Sequence, residues 1–125
     1  MNSKVSMVIR IVLGLAVLFF GLNKFFHFME PGGDMSEAAG NYFGALTATK
    51  TLTMVAIVEI AAGLALIFNK FGALMAVILM SVSVNATLFH ATLDPGNIGP
   101  AAAMLVLNIL VLYGYRDKYS GMLSG

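Results

Sequence analysis

Glu59 is the residue whose chemistry most needs explaining. It stands at the centre of the apolar run Leu52 to Phe68, LTMVAIVEIAAGLALIF, which Lys50 and Lys70 bracket. A run of that length is close to what a helix needs to cross a bilayer. A charge at mid-membrane costs roughly 2.5–3.5 kcal/mol on insertion scales, so an acid there faces the protein interior and has a partner. Lys24 and His90 are the candidate partners. Asn23, His27, Asn85 and Asn108 are the other polar groups in or at the ends of apolar segments, and Arg10 lies early in the first segment.

Spacing groups some of these residues. Lys24 and His27 are three apart and share a helix face. Ser83 and Thr87 are four apart, and Thr87 and His90 three apart, which gives a polar stripe. Asn85 and His90 are five apart and share that face poorly. Either one points elsewhere or the bundle encloses both.

Each group also has a plainer reading. Lys24 and Arg10 are long enough to snorkel toward head groups. His27 and His90 suit an aqueous boundary, and Asn85 and Asn108 suit hydrogen bonds between helices. Glu59 is too deep to snorkel, so it is a structural ion pair, a hydrogen-bonded acid, or a proton-handling or ligand-anchoring group.

Three chemistries follow from these residue types. A quinone site needs an apolar slot, a donor at a carbonyl and a nearby proton source, and Glu59 with His90 or Lys24 supplies these. In that reading Glu59 and His90 are the catalytic candidates. Haem ligation by His27 and His90 is the second chemistry, though both lie shallow. A metal site needs more ligands than two histidines and one distant glutamate provide.

Four apolar segments must position these groups, over residues 5–28, 51–68, 71–92 and 98–115. Glu30-Pro31-Gly32-Gly33-Asp34 ends the first, because Pro and paired Gly break helices. Ser36 can cap a short helix with Glu37 in its first turn, where Tyr42, Phe43 and Leu46 share one face. That stretch is an interfacial helix or cap, or else an ordered loop. Asn69-Lys70 makes a tight turn. Asp94-Pro95-Gly96-Asn97 makes another, in which Pro sets φ and Asp and Asn bond their own backbone. Gly14, Gly21, Ala62, Gly63, Ala73 and Ala76 suit close helix packing in lipid.

Composition points the same way. Of 125 residues, 59% are hydrophobic and 10% are charged, against about 25% charged in soluble domains. A net charge of +1 gives no basis for nucleic-acid binding, and the absence of cysteine excludes disulfides and thiolate metal sites. The apolar N-terminal stretch runs past the length of a signal peptide core without a cleavage site, so it reads as a first span. The expected fold is all-α, one transmembrane four-helix bundle over residues 1–125. Lys4, Arg10, Lys70, Arg116 and Lys118 fall at one end, and Glu30, Asp34, Glu37 and Asp94 at the other, with Lys24 and Lys50 near it. The positive-inside rule then places both termini in the cytoplasm.

Several stretches in this order resemble the DoxX family of bacterial inner-membrane proteins. They are the early Arg10, Gly21-Leu22-Asn23-Lys24-Phe25-Phe26, Val58-Glu59-Ile60-Ala61-Ala62-Gly63, and Val84-Asn85-Ala86-Thr87-Leu88-Phe89-His90 before Asp94-Pro95. The resemblance runs over nearly the whole chain and puts Arg10, Lys24, Glu59, Asn85 and His90 at the family's recurring polar positions. It implies a bacterial inner-membrane location and, from the thiosulfate:quinone oxidoreductase subunit behind the family's name, a membrane subunit of a quinone-linked oxidoreductase or redox-stress complex. Other relatives resemble membrane chaperones and cargo receptors, which implies a non-catalytic assembly subunit. A small transporter or lipid-binding protein is the third reading. Expected partners are the bilayer, oxidoreductase subunits and a second copy of the chain.

Overall fold

A computed structural model describes residues 2–26 and 36–123. Its elements are α1 (Ser3–Phe26), α2 (Glu37–Ala48), α3 (Thr51–Phe68), α4 (Gly72–Leu93), α5 (Ile98–Gly114) and a last turn, α6 (Ser120–Leu123). Short 3₁₀ turns at Pro95–Asn97 and Arg116–Tyr119 precede α5 and α6. Among the described residues there is no strand. α1, α3, α4 and the segment Pro95–Gly114 are each long and apolar enough to cross a membrane. α3, the shortest at 18 residues, spans about 27 Å, near the roughly 30 Å hydrocarbon core.

The expected spans agree with these helices. α1 is described to Phe26, and the last two residues of the first apolar segment, His27 and Phe28, lie outside the described residues. The segment after the first loop is a helix, with Ser36 as its N-cap: its hydroxyl accepts a hydrogen bond from the Ala39 amide at 3.2 Å. The turns after α2 and α3 use left-handed backbone, at Lys50 (φ 64°), Asn69 (φ 53°) and Phe71 (φ 58°). Asn adopts that conformation readily, whereas Phe71 holds it as a strained residue. Pro95 opens the turn ahead of α5, where its missing N–H has no helical partner to lose.

α1 and α3 lie antiparallel at close range because small residues recur along both. Gly14 and Gly21 face Gly63 and Ala56, each pair two helical turns apart. A Cβ on Gly63 would sit 2.8 Å from the Gly14 carbonyl oxygen, and one on Gly21 would sit 2.9 Å from the Ala56 oxygen. Backbone-to-backbone contact of this kind supplies packing where lipid removes the hydrophobic drive between helices. Leu13, Val17, Leu66, Leu79, Met104 and Val111 fill the centre of the bundle. Met54, Ile57, Phe68, Leu74, Leu88 and Val106 point outward, more than half exposed. An apolar surface of this extent belongs in lipid.

The end that carries the termini is tied by hydrogen bonds. Tyr115 donates its hydroxyl to Asn69 Oδ1, and Tyr119 donates to the Ala73 carbonyl at 2.7 Å. Burial, and secondarily the Tyr115 phenol beside it, push the Tyr119 hydroxyl up to about 12. It therefore stays protonated, and a donor, across the physiological range.

Candidate functional site

Lys24 and Glu59 form an ion pair, with Lys24 Nζ 2.6 Å from Glu59 Oε1. Glu59 is 2% exposed, and Lys24, at 26%, keeps one side open. Backbone direction explains the meeting. Helical side chains lean toward the N-terminus of their own helix. In an antiparallel pair, Lys24 leans inward from the end of α1 and Glu59 leans outward from the middle of α3. Gly21, one turn before Lys24, packs against the Glu59 Cβ and lets the two backbones approach. Lys24 therefore does not snorkel toward the head groups as its position predicts. The buried carboxylate attracts it more strongly than the boundary does, because charge attraction rises as the dielectric falls.

The pair lies in the wall of a cavity of about 420 Å³ enclosed by α1, α2, α3 and α4. Asn85 and His90 line the same cavity, so the α4 residues that sequence spacing kept apart share one space. The expected stripe divides instead. Ser83 and Thr87 turn to α5, where Thr87 donates to the Ala101 carbonyl at 3.3 Å and Ser83 donates to Asn108 Oδ1 at 2.7 Å. Asn85 donates its amide to the Ser81 carbonyl one turn back, at 2.7 Å. His90 Nδ1 is 3.3 Å from Asp94 Oδ2, close enough for an ion pair when the imidazole is protonated. The two are not aligned as a hydrogen bond, and that buried nitrogen makes none.

Aromatic side chains roof the cavity. Tyr42 stacks on Phe89 with ring centres 5.0 Å apart, and Phe43 meets the same ring edge-on at 4.9 Å. Leu46, Val55, Val58 and Val82 complete apolar walls. The face of α2 that its spacing predicts is thus the face it presents, to Phe89 of α4. Phe89, Ser81 and Thr51 belong to the lining and were not among the predicted site residues. Phe89 could have been found as the residue one turn beyond Asn85.

The remaining predicted site residues do not join this cavity. Asn108, fully buried on α5, accepts from Ser83 and donates to the Ala76 carbonyl at 3.1 Å, so it pins α5 to α4. Arg10 lies at the opposite end of the bundle, where its Nη1 donates to the Leu66 and Ile67 carbonyls. Those carbonyls belong to the last turn of α3 and lack helical partners, so Arg10 serves as a cationic cap. Asn23 is half-buried near the end of α1, and His27 is outside the described residues. The described groups therefore do not all converge. Helix direction and depth separate Lys24, Glu59, Asn85 and His90 at the cavity from Asn108 in an α4–α5 pin and Arg10 in a cap at the far end.

Four membrane-length helices, three of which line a partly polar cavity together with α2, define a small multi-pass membrane protein. The chain belongs to the DoxX family, whose sequence pattern matches residues 5–92. The match takes in every residue that lines the cavity and stops short of α5 with its Asn108. No curated protein and no solved structure matches the chain.

Proposed function

We propose that the chain is a membrane subunit of a quinone-linked oxidoreductase and that the cavity seats the quinone head group. The observation that carries this reading is a cavity with apolar and aromatic walls and a single buried ion pair, Lys24–Glu59, opening into it. Its volume of about 420 Å³ falls within the roughly 300–1,000 Å³ usual for small-molecule sites, and so does its mix of apolar lining and a few polar groups. A quinone exchanges two electrons and two protons between its oxidised and reduced forms. Lys24 offers an ammonium donor to a carbonyl oxygen, and Glu59 holds that donor in place and accepts its charge. His90, on the α4 wall, is the second proton-carrying group and leads toward Asp94 at the end of its helix. Electrons come from a partner subunit. In this reading the chain is one domain of a bacterial inner membrane, with both termini cytoplasmic and the cavity toward the outer leaflet.

One observation favours a non-catalytic assembly subunit instead. Lys24 and Glu59 satisfy each other directly, as a purely structural pair would. The deciding experiment is purification from the native membrane in mild detergent, with mass spectrometry of retained quinone and protein. Retained quinone that falls at least severalfold in Glu59→Gln, but not in Val106→Ala on the exposed face of α5, supports the quinone site. Protein partners retained without quinone in the wild type would move the assignment to assembly.

A further inference from the structure

A second cavity, of about 340 Å³, opens at the end of the bundle that carries the termini, between α1, the turn after α3 and the end of α5. Arg10, Arg116 and Asp117 all line it. Among the described residues the ion pairs are Lys24–Glu59 and His90–Asp94, so these three charges pair with no side chain. Arg10 is anchored through Nη1 alone, and a guanidinium carries five N–H donors. Arg116 is likewise held on one side. Its Nη1 donates to the Tyr113 carbonyl at 3.0 Å and its guanidinium lies 4.4 Å over the Tyr113 ring. Both arginines are thus positioned with donors to spare. Ser6 adds a hydroxyl, and Met7 and Leu110 add apolar surface beside it. The cavity lies where the spans end, at the depth of lipid head groups, and basic pockets between helices at that depth recognise lipid phosphates.

We propose that this cavity binds the head group of a zwitterionic aminophospholipid, with its phosphate against Arg10 and Arg116 and its ammonium against Asp117. Two cations and one carboxylate around one cavity match a phosphate and an amine carried on the same ligand. An anionic head group bearing only hydroxyls brings Asp117 neutral donors and no counter-charge. A choline head group has no N–H to donate to the carboxylate. Met7 and Leu110 then meet the first carbons of the acyl chains.

The test uses the full chain, delipidated in mild detergent and offered equal amounts of phosphatidylethanolamine, phosphatidylcholine and phosphatidylglycerol, with adducts counted by native mass spectrometry. Phosphatidylethanolamine adducts dominate in the wild type. Arg116→Gln lowers adducts of all three lipids by roughly fivefold, the effect of one basic residue at a lipid surface. Asp117→Asn removes the preference for ethanolamine and keeps phosphate-dependent binding. Both side chains are exposed beyond the last span, and the melting temperature checks that each variant folds. Equal adducts of the three lipids, a preference for phosphatidylglycerol, or an Asp117→Asn variant that behaves as the wild type would overturn the proposal. Complete displacement of lipid by inorganic phosphate would mark a free-anion site and overturn the lipid assignment.

Discussion

Lys24 and Glu59 are worth more together than apart. A carboxylate that is 2% exposed depends on its partner, and removing one member of a buried pair costs about 3–5 kcal/mol, whereas replacing both with apolar residues is often close to neutral. Lys24→Met is therefore expected to destabilise the protein by several kcal/mol, and Lys24→Met with Glu59→Met to recover most of that loss. Unfolding in mixed detergent micelles measures both. A double variant as unstable as Lys24→Met alone would show that the two residues do not act as a pair. The double variant also separates roles, because a stable bundle that no longer retains quinone assigns the pair to ligand binding rather than to folding. Asn108 sits at the other end of the scale. Hydrogen bonds between transmembrane helices average about 0.6 kcal/mol, so its two bonds fix the register of α5 against α4 more than they hold the bundle together.

At the scale of elements, the α1–α3 contact sets the positions of Lys24 and Glu59 in the cavity wall. Glycine has opposite consequences inside and outside that contact. A Cβ at Gly63 meets the Gly14 carbonyl oxygen and the Leu18 Cβ at 2.8 Å, and neither is the far end of a flexible chain. Gly63→Ala is expected to force the helices apart, at a cost of about 1–3 kcal/mol, and to weaken the Lys24–Glu59 bridge with them. Gly40, in α2, has nothing within 4 Å of an added Cβ, so Gly40→Ala should stabilise by about 0.5–1 kcal/mol through helix propensity. Thermal unfolding of the two variants in one detergent compares the signs directly. A stabilised Gly63→Ala would mean that α1 and α3 are not in backbone contact. α2 plays a different part. Its aromatic face covers the cavity through Tyr42 and Phe43 on Phe89, and pairs of this kind contribute about 0.5–1.5 kcal/mol each beyond buried area.

Across the whole molecule, polarity is divided between the two ends. One end carries the Lys24–Glu59 cavity, and the other carries Arg10, the tyrosine ties to Asn69 and Ala73, and the Arg116–Asp117 turn. Lys50 and Lys70 flank α3 at opposite ends. With no cysteine in the chain, single replacements report orientation cleanly. Lys50→Cys is expected to react with an impermeant thiol reagent added to intact cells, and Lys70→Cys only after permeabilisation. The reverse pattern would invert the proposed topology and place the Lys24–Glu59 cavity toward the cytoplasmic leaflet.

The four spans and the turns at Asn69 and Asp94 were legible in the sequence, whereas the stretch behind Ser36 read as either a cap helix or an ordered loop. Their signals are local: apolar length, a capping hydroxyl, and residues that break or reverse a helix. The family was legible as well, from the order of short polar motifs along α1, α3 and α4. The polar residues themselves were also visible, because charge and amide groups stand out in an apolar run. Their grouping was not. Glu59 at mid-span was compatible with Lys24 or His90 as its partner, and only the antiparallel lean of α1 and α3 selects Lys24. Asn85 and His90 looked divergent on one helix, yet they line one cavity because α2 and α3 enclose both. Arg10 and Asn108 stood in the sequence only as polar groups of apolar segments, and tertiary packing places the first on the end of α3 and the second against Ser83. The sequence alone determined which segments enter lipid and which residues are costly there. Tertiary structure decided which of those residues meet, because meeting depends on helix rotation and crossing, set by contacts between residues as far apart as Gly14 and Gly63.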